Sequence, residues 1–380
     1  MDKSNEYRTG SQPVDSERRR LLEAAGAGAL TAAFGGVLAG VSSRAEAQPT
    51  RTLRWGIVGT GGIANSMAPM IHQAANAELV AVSSRKMETA KKFAGKHNVG
   101  KSFDSWSDMG DWKGVDAIYV ATPTSVREEI CVAMANNGKH VLGEKPFASL
   151  PSLQRITSAC RDNGVGFMDG THFVHQARTA HIKSNMQGLV GWPWSVASAF
   201  QFGLTDMNNI RLKPDLEPYG AIGDAGWYNM RAAVEYLSPD VEIASVDAYL
   251  RRENQNNAVV SGSGVIVFND GSTTTWNCGF ESGAGVMDLR ISGAIGVIKL
   301  DDFLTQRPPD QPASFEYREG WSKTRMIEVP AAKPGAAMMF ENFAAMIGNR
   351  DLLDASIRAS QRTQELLDAV WNSAISNERV

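Results

Sequence analysis

The chain has 380 residues, 43% of them hydrophobic and 21% charged, with a formal net charge of -3. That length and balance suit a globular protein with room for two domains, and no basic field argues for nucleic acid or an anionic membrane as partner. Three scattered cysteines, Cys131, Cys160 and Cys278, show neither metal-ligand spacing nor a disulfide framework, so no metal site is expected.

Residues 1–47 read as an export leader outside the fold. Arg18-Arg19-Arg20 precede a weakly apolar run from Ala24 to Val41, and Ala45-Glu46-Ala47 offers small residues to a signal peptidase. Paired arginines before a run of low hydrophobicity indicate the twin-arginine route, hence a folded protein delivered to the periplasm. The alternative is an N-terminal anchor, but glycine and alanine contribute little transfer free energy, so stable membrane insertion is not expected.

From Thr52 strand and helix alternate. Leu53 to Val58 is a strand, Gly59-Thr60-Gly61-Gly62-Ile63-Ala64 a turn, and a helical pattern runs to about Ala75. Glu78 to Ser83 is the second strand and Asp116 to Val120 a later one, with helical patterns over Met87 to Lys96 and Ser125 to Asn136. This βαβ rhythm predicts a parallel sheet covered on both faces. G-x-G-x-x-A between a strand and a helix is a dinucleotide fingerprint. Gly59 makes the tight turn, Gly61 lets a pyrophosphate approach the backbone, and small Ala64 allows close packing. An NAD site needs a carboxylate at the end of the second strand. Here Ser83-Ser84-Arg85-Lys86 supplies hydroxyls and cations, so Ser84 and Arg85 are candidates for a 2′-phosphate and NADP is favoured. The competing reading is that Arg85 and Lys86 simply begin a solvated helix.

A further strand ends at His140-Val141-Leu142 and delivers Gly143-Glu144-Lys145-Pro146 to the crevice where such sheets bind ligands. Taken alone, that tetrapeptide would be a surface turn. From Trp194 onward the pattern changes to alternating β-branched runs, such as Trp194 to Phe200, Ser245 to Leu250 and Val265 to Phe268. Asn269-Asp270-Gly271 is a hairpin signal, and 336–349 and 354–377 read as closing helices.

Gly59 to Ala64, Val120-Ala121-Thr122-Pro123 and Gly138 to Pro146 together resemble the Gfo/Idh/MocA family of oxidoreductases. Gly220-Ala221-Ile222-Gly223-Asp224-Ala225-Gly226-Trp227-Tyr228 resembles that family's substrate-domain motif. Many members end this motif in histidine. Tyr228 is similar instead to the branch holding glucose–fructose and aldose–aldose oxidoreductases and dihydrodiol dehydrogenases. The resemblance implies an N-terminal Rossmann domain, 48–170, and a C-terminal α+β domain, 171–380, with an open, mostly antiparallel sheet through which a homodimer or dimer of dimers forms.

The resemblance also implies cofactor contacts from Gly59, Gly61, Gly62, Ile63, Thr122, Glu144, Lys145 and Arg211, although Ile210 departs from the family's Trp-Arg pair. Asp224 and Tyr228 stand at i and i+4 and share one helix face. They are expected to meet Lys145 around a sugar: Tyr228 as acid/base, Lys145 as its electrostatic partner and hydroxyl anchor, and Asp224 accepting from sugar hydroxyls. A phenol is a poor base at neutral pH, and an adjacent ammonium is expected to favour its anion. Whether Lys145 or Tyr228 moves the proton stays open. His172 and Arg178 either line the sugar pocket or cap structure. Arg127 stands where many relatives carry histidine.

Outside the cytoplasm no NADP pool exists. The export reading therefore implies a tightly bound, non-dissociating nucleotide, with an aldose oxidised at C1 to a lactone and a second sugar reduced in turn. Alternatives are an exported NAD-dependent glycosidase of the same fold, a conventional aldose or dihydrodiol dehydrogenase, and a non-catalytic sensing module.

Overall fold

Strands that are apolar on both faces belong inside a parallel sheet, and β1 (Leu53–Val58) is almost wholly buried. In the computed structural model, residues 52–237, 240–305 and 312–378 are described; the expected leader, 1–47, lies outside them. The first sheet continues with β2 (Ala77–Ser83), β3 (Lys101–Phe103), β4 (Ala117–Val120), β5 (His140–Gly143) and β6 (Phe167–Asp169), joined by α1 (Gly62–Gln73), α2 (Met87–His97), α3 (Trp106–Asp111), α4 (Thr124–Asn136) and α5 (Leu150–Asp162). Its order is β3-β2-β1-β4-β5-β6 with every pairing parallel. The order reverses between β1 and β4, which opens a crevice at their carboxyl ends as in Rossmann folds. The three-residue β3 and the short α3 have no periodic signal in the sequence and went unpredicted.

The second half holds α6 (Ala177–Leu189), β7 (Pro193–Gly203), α7 (Gly220–Asp224), α8 (Gly226–Tyr236), β8 (Ile243–Arg252), β9 (Val259–Phe268), β10 (Thr273–Gly279), β11 (Glu281–Gly293), β12 (Val297–Leu300), β13 (Ala313–Glu319) and β14 (Lys323–Val329). Eight strands run β14-β13-β12-β11-β7-β10-β9-β8, antiparallel except between β7 and β10. The expected hairpin joins β9 to β10, with Gly271 at φ 81. Side chains alternate as a one-sided sheet requires. Val196, Ile266, Trp276, Leu289 and Ile291 are buried, whereas Ser263, Thr275, Asp288 and Arg290 are exposed.

The chain then returns to the first sheet through α9 (Gly335–Met346) and α10 (Arg350–Ser376). Trp55 of β1 meets Phe340 edge-on at 5.0 Å and Phe343 at 5.7 Å. Along α10, Gln364 accepts from the Phe147 amide (3.0 Å) and Asp368 from both the Leu150 amide (2.7 Å) and the Tyr219 hydroxyl (2.7 Å). A boundary at 170/171 is therefore crossed: the last two helices serve the parallel sheet as well as the antiparallel one.

A buried ionic chain fixes α8. Arg231 donates to Asp169 at the end of β6 (2.7 Å) and to Glu235 (2.8 Å), and Lys183 pairs with Glu235 from α6. Burial alone would raise the Glu235 carboxyl, but Lys183 and Arg231 override it and pull it from 4.5 to about 2. A depressed carboxyl contributes stability that is fully present above its unfolded value and lost as pH falls through its folded one. Denaturant titrations should therefore show stability dropping as pH falls from about 4.5 towards 2. Glu235→Gln should flatten that limb and cost about 2 kcal/mol at neutral pH, because half-buried Lys183 loses its carboxylate and buried Arg231 keeps only Asp169.

Candidate active site

The crevice carries the marks of a dinucleotide site. Gly59 adopts φ 105, and a Cβ there would come within 2.5 Å of the Ala121 carbonyl oxygen, so only glycine fits the turn. Added Cβ atoms at Gly61 and Gly62 would meet nothing within 4 Å. No side chain caps α1 at Gly61, so its first N–H groups face open space, the arrangement that binds phosphate. Ile63 stands exposed beside them. Ser84 Oγ lies 3.4 Å from Thr60 Oγ1, and Arg85 and Lys86 are exposed at the same edge. Across the crevice, the buried Oγ1 of Thr122 has no hydrogen-bond partner among the described residues. These features fit NADP.

Asn65 was missed by sequence reasoning and holds this loop. Its Nδ2 donates to the carbonyls of Thr60 (3.0 Å) and Gly61 (2.9 Å), while its Oδ1 accepts from Lys96 (2.8 Å) on α2. An asparagine one residue past the fingerprint is the signal that could have found it.

The Gly143 to Pro146 segment leaves β5 and turns Lys145 towards the second half. Lys145 Nζ donates to the main-chain oxygen of Asp224 (2.6 Å) and to its Oδ1 (2.9 Å), and sits 4.7 Å from the centre of the Tyr228 ring. Arg211 Nε takes the other carboxylate oxygen at 2.6 Å. Burial would raise the Asp224 carboxyl, yet the Lys145 and Arg211 cations hold it well below the usual carboxylate range. Asp224 is thus a clamp for two cations, with one charged donor on each carboxylate oxygen. Arg211 was expected on the cofactor. It is seen here bound to Asp224 and joins the polar cluster.

Tyr228 is buried, and its hydroxyl lies 3.5 Å from His172 Nε2. Burial first, then the charges of Glu144 and Asp224, push the phenol well above its ordinary value, with Arg211 opposing. The expected ammonium-stabilised phenolate is overturned, because Lys145 faces the ring and not the oxygen. His172 sits on the short turn His172–His175 after β6. Burial, then Lys145, lowers its imidazole to about 4 against the opposing charge of Asp302. A neutral phenol therefore faces a neutral imidazole.

Two expected site residues turn away. Glu144 accepts from the Tyr119 hydroxyl and the Lys145 amide (3.2 Å), and burial raises its carboxyl despite Lys145. With both oxygens engaged inside the protein it supports Lys145 from below and is not seen as a cofactor ligand. Arg178 is buried, donating to the carbonyls of Ser314 (3.0 Å) and Asp302 and to Gln176 (3.2 Å). It braces α6 against the antiparallel sheet, and the pocket-lining alternative is dropped. Arg127 is likewise a brace, donating to Thr124 Oγ1 (3.1 Å) and to the carbonyls of Thr122 and Pro146.

A parallel sheet with an uncapped glycine turn, facing an amine–carboxylate–phenol cluster, defines a dinucleotide-dependent oxidoreductase. The family described as "Oxidoreductase family, NAD-binding Rossmann fold", Gfo/Idh/MocA, matches residues 53–171. A dTDP-3,4-didehydro-2,6-dideoxy-alpha-D-glucose 3-reductase of Streptomyces antibioticus is 30% identical over 265 residues, 69% of this chain and 79% of that protein. KijD10, a 3-ketoreductase from Actinomadura kijaniata solved with NADP and TDP-benzene, superposes with a TM-score of 0.77 at 25% identity, covering 85% of this chain and 98% of its own. An aldose-aldose oxidoreductase from Caulobacter crescentus shares the fold, with a TM-score of 0.76 at 22% identity over 87% of this chain and 99% of its own. The chain belongs to the Gfo/Idh/MocA oxidoreductase family.

The clamp on Asp224 yields a coupling test. Asp224→Asn keeps the shape but leaves Lys145 and Arg211 facing each other without a carboxylate, and should destabilise the protein by on the order of 2 kcal/mol. Adding Arg211→Met to it should recover part of that loss, giving a non-additive cycle in urea unfolding. Strict additivity would show that the two cations do not share the carboxylate.

Proposed function

We propose that this protein is an NADP-dependent sugar oxidoreductase. In this reading it oxidises an aldose at C1 to a lactone and reduces a second sugar while keeping one tightly bound nucleotide. The observation that carries it is the convergence of Lys145, Asp224, Arg211, Tyr228 and His172, in a fold whose β4 loop also carries the orphaned Thr122 hydroxyl. Gly59, Gly61, Gly62, Ile63 and Thr122 would line NADP, with Ser84 and Arg85 towards its 2′-phosphate. Bound there, NADP would supply the hydride chemistry at the reacting carbon.

The chain's own residues supply the proton chemistry. An ammonium has three donors, and Lys145 directs two of them at Asp224. The third remains for a sugar hydroxyl. Tyr228 exchanges a proton with that hydroxyl, and neutral His172 accepts the phenol's own proton as the sugar's arrives. In the reducing half the transfers run backwards, so protons balance over two sugars. The hydroxyl and phosphate-binding groups at the end of β2 support NADP over NAD, as does the NADP bound to KijD10. Retention of the nucleotide is supported by the export reading of Arg18-Arg19-Arg20 and Ala45-Glu46-Ala47, with a periplasmic destination. Among the described residues no helix is long and apolar enough to cross a membrane. The exposed face of the eight-stranded sheet would carry a homodimer.

A second reading is a conventional sugar reductase with exchanging NADP, favoured by the keto-sugar reductases among the relatives. The two readings separate cleanly. Protein denatured after purification should release NADP(H), and aldose–ketose mixtures without added nucleotide should yield lactone plus alditol. Protein that is clean of nucleotide and inactive until NADP is added would favour the second reading.

Substitutions test the roles. Tyr228→Phe should lower kcat at least about 100-fold. His172→Asn should lower kcat by about tenfold with little change in KM. Lys145→Met should abolish sugar oxidation while nucleotide stays bound. Turnover unchanged in all three would remove the proposed site.

A further inference from the structure

Helix α4 begins at the crevice without a capping side chain of its own, since Pro123 precedes it. The first N–H groups of a helix need partners, and Glu217, 93 residues away in sequence, provides one. Its Oε1 accepts from the Thr124 amide (3.1 Å) and its Oε2 from the Thr124 hydroxyl (2.6 Å). Beside it, the Leu216 carbonyl accepts from the Ser125 amide (3.1 Å). A carboxylate at a helix N-terminus is favoured by the helix dipole as well as by these bonds.

Glu217 lies near the end of the segment 204–219, which runs from β7 to α7. The segment's middle is anchored to the second half. Leu212 is buried, Asn256 donates to its carbonyl (2.8 Å), and Arg211 holds Asp224. Only the Leu216–Glu217 end reaches α4. The Thr124 hydroxyl that gives its proton to Glu217 accepts in turn from Arg127, which binds the carbonyls of Thr122 and Pro146. One chain of hydrogen bonds thus joins the segment to both loops that flank the crevice, one carrying the orphaned Thr122 hydroxyl and the other Lys145.

We infer that Glu217 is a positioning residue that clasps the 204–219 segment across the dinucleotide crevice, so that nucleotide leaves only when the clasp opens. The inference rests on the reading that this crevice holds NADP, and it names the device that makes the nucleotide a captive. Glutamate suits the task because both its oxygens are used at once, on an amide and a hydroxyl of the same residue. Glutamine offers an acceptor to the amide alone; its NH2 could only donate to the Thr124 oxygen, which leaves the hydroxyl proton without Glu217 as acceptor.

The test measures nucleotide release directly. Wild-type protein is loaded with NADPH, mixed with excess NADP+, and its nucleotide fluorescence followed over time. Glu217→Ala should release NADPH faster by on the order of tenfold, as expected for losing hydrogen bonds to a charged group. Glu217→Gln and Thr124→Val should fall between it and the wild type. The nucleotide content of the purified variants should decline in the same order, with thermal unfolding midpoints of the loaded proteins compared as the check on folding. Glu217→Gln, nearly isosteric, carries the test should Glu217→Ala fail to fold. Release at the wild-type rate in folded variants overturns the clasp while leaving the NADP reading intact. A wild type that binds no NADPH at all overturns both.

Discussion

The arrangement depends on one carboxylate held between two cations. Asp224 comes from α7, Arg211 from the segment before it and Lys145 from the end of β5, so this ion cluster bolts the antiparallel half to the parallel one. Removing charges from water costs several kcal/mol per ion, and attraction repays that only when geometry is good and remaining donors are satisfied. Here both carboxylate oxygens are used, and Lys145 gains the Asp224 carbonyl besides. The bolt also fixes the direction of the ammonium. A lysine on a flexible stem is a poor instrument for orienting a sugar hydroxyl; one with two donors committed has little freedom left for the third.

What places the bolt is the long helix α10. Through Gln364 and Asp368 it grips the backbone just after Lys145-Pro146 and the hydroxyl of Tyr219, one residue before α7 begins. Ser360 on the same helix donates to Asp169, which also receives Arg231 from the helix carrying Tyr228. Three residues spaced along one rigid rod, Ser360, Gln364 and Asp368, therefore set the position of Lys145, Asp224 and Tyr228 together. This explains why the last two helices return to the first sheet: they are the ruler against which the halves are aligned.

The sequence made the fold legible where periodicity was strong. The apolar runs at 53–58 and 117–120, the glycine turn, and the hairpin at Asn269-Asp270-Gly271 each follow from local rules, and the structure has all of them. Lys145, Asp224 and Tyr228 do converge, as the family resemblance implied, and His172, for which the sequence left pocket lining and capping both open, lies beside Tyr228. What local pattern could not supply was direction. Glu144 and Lys145 are neighbours, yet one points into the protein towards Tyr119 and the other across the crevice. For Arg178 the sequence left pocket lining and structural capping both open, and its guanidinium is spent on main-chain carbonyls of the far half. The phenol was misjudged because proximity of an ammonium was equated with contact at the oxygen. Glu217 was invisible for a simpler reason: its partner is 93 residues away and nothing in either neighbourhood advertises a helix cap.

The electrostatics of the cluster bear on how a proton moves in the proposed reaction. Glu144 and Asp224 raise the cost of a negative phenolate at Tyr228, and Lys145 raises the cost of a positive imidazolium at His172. Burial disfavours both charged forms in the same direction. Either ionised state alone is uphill, whereas a proton leaving the phenol for the imidazole as another arrives from the sugar leaves the phenol neutral throughout. Charge then resides on the imidazole from the oxidation of the first sugar until the second sugar takes the proton back. That cycle suits a reaction run in both directions by one set of side chains, since the disfavoured imidazolium left by one sugar is the acid that the next sugar's reduction needs.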